Sequence, residues 1–185
     1  NTAASFTKGI QPTSTTANAT RLDTGDRRCL QALWRNGNLY ACFHVNPNAG
    51  NPNATQCTAY WLKEAITTGA GTVVDGGMIG GEDVATGTAT MYPSIAVDKL
   101  GNIAVGLGVC SPTTFASEAY TTRSAGDPAG FMNPLTVFAS GLAYYRRTFS
   151  NATSARNRWG DYTGTVVDPD ECIFWSYNEY AGTQG

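Results

Sequence analysis

The chain has 185 residues, a formal net charge of −2 and only 14% charged residues. With a pI of about 5.3 and no cluster of Lys or Arg, it carries neither a nucleic-acid footprint nor a basic membrane-binding face. No apolar run reaches the length of a membrane-spanning helix, so neither a nucleic-acid partner nor membrane insertion is expected. The length suffices for a sizeable core, and 21 glycines with abundant Thr and Ser favour an all-β chain rich in turns.

Residues 1–26 read as an N-terminal arm with one candidate strand around Ser5–Ile10. It ends in the turn Asp23-Thr24-Gly25-Asp26-Arg27-Arg28. A first hairpin follows, Cys29 to Phe43, reversing at Asn36-Gly37, the favoured pair for a two-residue type I′ turn. A polar loop over 46–56 leads to a third strand near Cys57–Ile66 and, after Gly69-Ala70-Gly71, a fourth near Thr72–Ile79. Four antiparallel strands in sequence make one blade of a propeller, assigned to 27–90.

The order repeats in a second blade, 91–155. Strands are expected near Ser94–Val97, Asn102–Val109, Glu118–Arg123 and Leu135–Ala139, the last two separated by Gly126-Asp127-Pro128-Ala129-Gly130. A half-blade, 156–185, has two arms, Arg156–Asp168 and Cys172–Tyr180, joined by Asp168-Pro169-Asp170-Glu171. The repeat is measurable: Gly37-Asn38 and Gly101-Asn102 lie 64 residues apart, and Val97-Asp98 and Val167-Asp168 lie 70 apart. Strand-only repeats indicate propeller blades; the alternative is a β-sandwich with coincidental hairpins. The expected architecture is an incomplete propeller of about two and a half four-stranded antiparallel blades.

Closed propellers have about 4–8 blades, so two and a half imply either further blades in a longer polypeptide or a homo-oligomer. In the second case the N-terminal arm of one copy adds to the open blade of the next, and a head-to-tail contact that does not close forms a filament. The first residues contain no signal peptide, which fits a removed leader or an internal piece.

Three Asn-X-Thr acceptors, at Asn18, Asn53 and Asn151, fall in segments read as loops and point to covalent glycans on a secreted or cell-surface protein. Five cysteines suit an oxidising compartment. Sequence does not choose their connectivity; Cys42 with Cys57 and Cys110 with Cys172 are the preferred pairs, with buried thiols as the alternative. There is no C-x-x-C motif and His44 is the single histidine, so no metal or other cofactor is expected. Asp168, Asp170 and Glu171 lack the spacing of a calcium loop.

Several stretches resemble secreted sialidase-like (BNR/Asp-box-type) β-propeller proteins, mostly uncharacterised. They are Asp23–Arg28 with Leu33–Tyr40, Tyr92–Asp98 with Gly126–Gly130, and above all Arg158-Trp159-Gly160-Asp161-Tyr162 with Phe174–Tyr180. The resemblance implies a C-terminal part of such a propeller. Sialidases as a family hold a substrate carboxylate with three arginines and use a tyrosine nucleophile backed by Glu. By residue type the candidates are Arg28, Arg123 and Arg158, with Tyr162, Asp161 and Glu179. A glycosidase in general needs two carboxylates roughly 5–9.5 Å apart across the sugar.

No catalytic residue is assigned. Arg158, Trp159, Asp161, Tyr162 and Glu179 form a candidate ligand or structural cluster, with an Arg158–Asp161 ion pair as the structural alternative. Trp159, Tyr162 and Trp175 are expected to fill space between blades rather than to stack on sugar. The function read from the sequence is an extracellular, glycosylated structural protein that shares strands head-to-tail. The rival is a fragment of a sialidase-like glycoside hydrolase or a carbohydrate-binding propeller.

Overall fold

A computed structural model describes residues 8–12, 21–47, 57–147 and 156–183. Among these the fold is all-β, with two four-stranded antiparallel sheets and two small ones. Strand β1 is Leu22–Asp23, β2 Cys29–Arg35, β3 Asn38–Val45, β4 Thr58–Thr67, β5 Ala70–Ile79 and β6 Ala89–Val97. They are followed by β7 Ile103–Ser111, β8 Thr114–Arg123, β9 Thr136–Ala139, β10 Asn157–Arg158, β11 Gly164–Val167 and β12 Phe174–Tyr177. The first sheet runs β2-β3-β4-β5, the second β6-β7-β8-β9, and a third consists of β11-β12.

Local chemistry sets the hairpins. Asn36 and Gly37 both take positive φ, 49° and 75°, which a type I′ turn requires. Thr68 and Gly69 carry the same signature at the β4–β5 reversal, 49° and 87°. The repeated Val-Asp positions do equivalent work. Asp98 Oδ1 accepts the N–H groups of Leu100 at 2.8 Å and Asn102 at 2.9 Å; Asp168 Oδ1 accepts those of Cys172 at 2.8 Å and Ile173 at 3.1 Å. A side-chain carboxylate thus satisfies the turn amides in both hairpins.

The main core lies between the first two sheets. Cross-strand partners Cys42 and Trp61 present one face, and Ile95 with Val105, Val97 with Ile103, and Leu107 with Ala119 present the other. Along β6 and β7 these residues recur at every second position, so they share one face of the sheet. Strand β7 is buried along its whole length, because β11 and β12 cover its second face.

That cover depends on Gly106. A Cβ there would overlap Ser176 Oγ and sit 2.7 Å from Thr165 Oγ1. Thr165 Oγ1 in turn bonds Ser94 Oγ at 2.6 Å and accepts the Gly106 N–H at 3.2 Å. Only glycine allows so close an approach.

Several expectations are corrected. The arm Arg156–Asp168 is not one strand: β10 stops at Arg158, Gly160 takes φ of 42°, and β11 begins at Gly164. β10 instead pairs in parallel with β1, Leu22 opposite Asn157 and Asp23 opposite Arg158. β6 begins at Ala89, five residues ahead of the Ser94 expected, and spans the 90/91 division. Its bulge between Met91 and Ser94 hides the early part from a strict alternation. Of the N-terminal candidate strand, the described part contributes a single bridge, Gly9 to Leu22.

Neither expected disulfide is formed; all five cysteines are free thiols. Cys42 packs in the core between the first two sheets and Cys57 in a separate cluster with Cys110. Cys172 is exposed at the β11–β12 reversal, beside Lys99 Nζ at 3.4 Å.

Candidate functional site

Pairing of β1 with β10 draws Asp23–Arg28, from the start of the chain, against Arg156–Thr163 near its end. Tyr92 and Pro93 at the β6 bulge form the floor between them. The result is a groove of three adjoining cavities, the central one about 270 Å³, lined by Asp26, Arg28, Tyr92, Arg156, Arg158 and Tyr162. Towards β2 it continues past Cys29 and Thr163, and at the other end past Tyr145, Arg147 and Glu179.

Tyr92 is the fixed point. It holds a positive φ of 49°, uncommon for a bulky residue, and three hydrogen bonds keep it there. Its N–H donates to His44 Nε2 at 2.6 Å, its hydroxyl donates to Asp23 O at 2.9 Å, and its carbonyl accepts from Thr163 Oγ1 at 2.7 Å. Burial, then the charge of Asp23, pushes the phenol well above its ordinary value, so it stays protonated and donating. Gly25, at φ 74°, faces the ring; a Cβ there would stand 3.2 Å from the hydroxyl.

The charges are matched. Arg28 clamps Asp26 through Nε at 2.8 and 3.0 Å and Nη2 at 2.5 Å, and this guanidinium pulls the Asp26 carboxyl down to about 2. Arg156 pairs with Asp23, and Arg158 with Asp161. Among the described residues no ion pair holds Arg147 or Glu179, which line the far end together. The groove is therefore lined by both signs of charge, with Tyr162 at its centre, 85% exposed.

The sequence cluster is thus partly assembled. Arg158, Asp161, Tyr162 and Glu179 surround one groove, and Arg28 joins them. Trp159 does not line it: it is buried and meets Tyr145 edge-on, ring centroids 4.8 Å apart. Arg123 is elsewhere, its Nη1 2.5 Å from Asp75 Oδ2 and its guanidinium 5.0 Å over the Trp61 ring. The arginine trio Arg28, Arg123 and Arg158 is therefore not brought together; Arg156 occupies the groove instead.

Arg156 and Arg147 escaped the sequence reading. The i, i+2 spacing of Arg156 and Arg158, which puts both on one side of an extended segment, was the available signal. Packing describes Trp159 but not Tyr162 or Trp175, the latter 61% exposed. His44 is buried in the first sheet and Asp168 is engaged by turn amides, while Glu171 pairs with Arg35 at 2.7 Å. Asn18, Asn53 and Asn151 lie outside the described residues.

A second concavity, about 550 Å³ and mostly apolar, opens between the second and third sheets. Val105, Tyr120, Phe138, Ile173 and Phe174 line it. Beyond it β12 pairs only with β11 among the described residues, and Tyr177 is 76% exposed.

No family model matches the chain, and no match is found among curated proteins or solved structures.

Proposed function

We propose that this chain is an extracellular, N-glycosylated structural protein built of propeller-type blades, and that neighbouring copies complete its third sheet by adding strands head-to-tail. One observation carries the reading. The third sheet packs on the second through β11 against β6 and β7, and the second packs on the first through β6 against β2, β3 and β4. Yet the first two sheets have four strands and the third has two. Stacking in chain order supports reading the sheets as successive blades, and among the described residues β12 pairs on one side only, leaving an edge able to accept a strand. Exposed Trp175 and Tyr177, with the apolar trough behind Phe174, offer side-chain pockets for the incoming segment.

Electron microscopy of the native protein, with sedimentation on the same preparation, tests this. Filaments or rows of regularly spaced units are expected, and Trp175→Asp abolishes them without unfolding the chain. A native protein that sediments as a compact monomer at all concentrations overturns the proposal.

The groove favours a second reading, a carbohydrate-binding or glycoside-hydrolysing site. Its support is the convergence of Arg28, Arg158, Asp161, Tyr162 and Glu179 on one face. Guanidinium groups suit a sugar carboxylate, and an exposed tyrosine ring suits a sugar face. Binding and hydrolysis of acidic glycosides that fall in Arg158→Ala and Glu179→Gln support this reading; unchanged values in both variants dismiss it.

A further inference from the structure

Cys29 and Cys42 stand on facing strands of the first sheet, where a regular ladder continued from Gln31 and Cys42 would set Cys29 opposite His44, two residues along from Cys42. Cys29 lies opposite Phe43, and Cys42 lies opposite Gln31. Leu30 is the extra residue between these pairs, a bulge that moves Cys29 one residue nearer to Cys42. Both sulfurs consequently converge on one acceptor, the Gln31 carbonyl oxygen, Cys29 Sγ at 3.2 Å and Cys42 Sγ at 3.9 Å. Neighbouring strands are spaced about 4.8 Å apart, and a disulfide joins Cα atoms about 4.4–6.8 Å apart.

The two thiols differ in access. Cys29 is exposed and lines the groove beside Arg28 and Tyr162, whereas Cys42 is buried, its Sγ donating to Pro93 O at 3.1 Å. Burial, and then the neighbouring Cys29, push the Cys42 thiol up to about 12. Burial shields Cys42 from outside reagents, while the shared Gln31 carbonyl keeps its sulfur beside that of Cys29.

We infer that Cys29 and Cys42 form a redox site on the groove wall, in which Cys29 accepts an external disulfide and Cys42 resolves it. The thiolate of Cys29 attacks one sulfur of a low-molecular-weight disulfide of the glutathione type, whose S–S bond breaks and releases one thiolate. That thiolate takes up from solvent the proton Cys29 gave up, and Cys42 then attacks Cys29 Sγ, its proton passing to the second thiolate that the attack expels. Two protein thiols are oxidised to one disulfide, and the external disulfide is reduced to two thiols. The loss is the weak Cys42–Pro93 contact. The gain is a link across the bulge that carries Arg28 into the groove.

The remaining cysteines serve as internal controls. Cys57 and Cys110 are fully buried, whereas Cys172 is exposed with Lys99 beside it. The full chain is first reduced with a phosphine, then exposed to oxidised glutathione. It is alkylated in denaturant without reductant and mapped by mass spectrometry. Expected are a Cys29–Cys42 cross-linked peptide without retained glutathione, and a glutathione adduct on Cys172. In Cys42→Ala the adduct persists on Cys29. A stable adduct on Cys29 in the unsubstituted protein overturns the proposal, as do free, alkylated Cys29 and Cys42, or pairing of either with another cysteine.

Discussion

His44 Nε2 accepts the backbone N–H of Tyr92 at 2.6 Å, while its Nδ1 lies 2.7 Å from the carbonyl oxygen of Asp26. The ring must therefore be neutral, with its proton on Nδ1, and it ties the floor of the groove to the loop that carries Arg28. Burial is the chief cause holding its pKa below 6.5, against the opposing pull of the Asp26 carbonyl and carboxylate.

A histidine whose folded value is depressed contributes stability that is complete above its unfolded value and is lost as pH falls through the folded one. Urea midpoints should accordingly decline as pH drops below about 6.5. In His44→Gln this decline should flatten, with a loss of about 1–3 kcal/mol at pH 7.5 from broken buried hydrogen bonds. An unchanged slope in the variant would show that another group titrates.

Asp75 and Arg123 form the most buried ion pair described, with side chains 15% and 5% exposed. Burial raises the Asp75 pKa, but hydrogen bonds from the Gly130 N–H, Arg123 and the Gly76 N–H outweigh it and leave the value below 3.8. Asp75→Ala strands the Arg123 charge over Trp61 and should cost about 3–5 kcal/mol by chemical denaturation. The stability due to this carboxylate is present above pH 3.8 and falls away below it.

Gly106→Ala tests how the third sheet is seated. The new Cβ meets Ser176 Oγ and Thr165 Oγ1, and Thr165 is tied to Ser94. Overpacking of this kind costs about 1–3 kcal/mol. Hydrogen exchange should speed up in Val166 and Trp175 while the amides of β3 and β4 stay protected.

Trp159 and Tyr162 are near neighbours in sequence but should respond in opposite ways. Trp159 is 3% exposed against Tyr145, and Tyr162 is 85% exposed. Trp159→Ala should cost about 3–5 kcal/mol. Tyr162→Ala should change stability by no more than about 0.5 kcal/mol and act only on what the groove binds, as titration calorimetry with acidic oligosaccharides would register.

The sequence by itself determined the hairpins. Asn36-Gly37, and the Asp that follows Val97 and Val167, are turn chemistry acting within a few residues. Alternation of large and small side chains in Ile103–Val109 is a period-2 pattern that needs no distant partner to be read. What it could not determine is whatever depends on which segments meet. The bulges at Leu30 and Tyr92-Pro93 each insert a residue that shifts the register, and so concealed both the start of β6 and the approach of Cys29 to Cys42. Arg123 and Arg156 look alike in sequence. One is drawn under Asp75 and Trp61, and the other is brought to Arg28 because two residues of β1 pair with two of β10. Two paired residues in so short a strand carry almost no local signal, and long-range packing around Tyr92 and Gly106 decided where the groove would be.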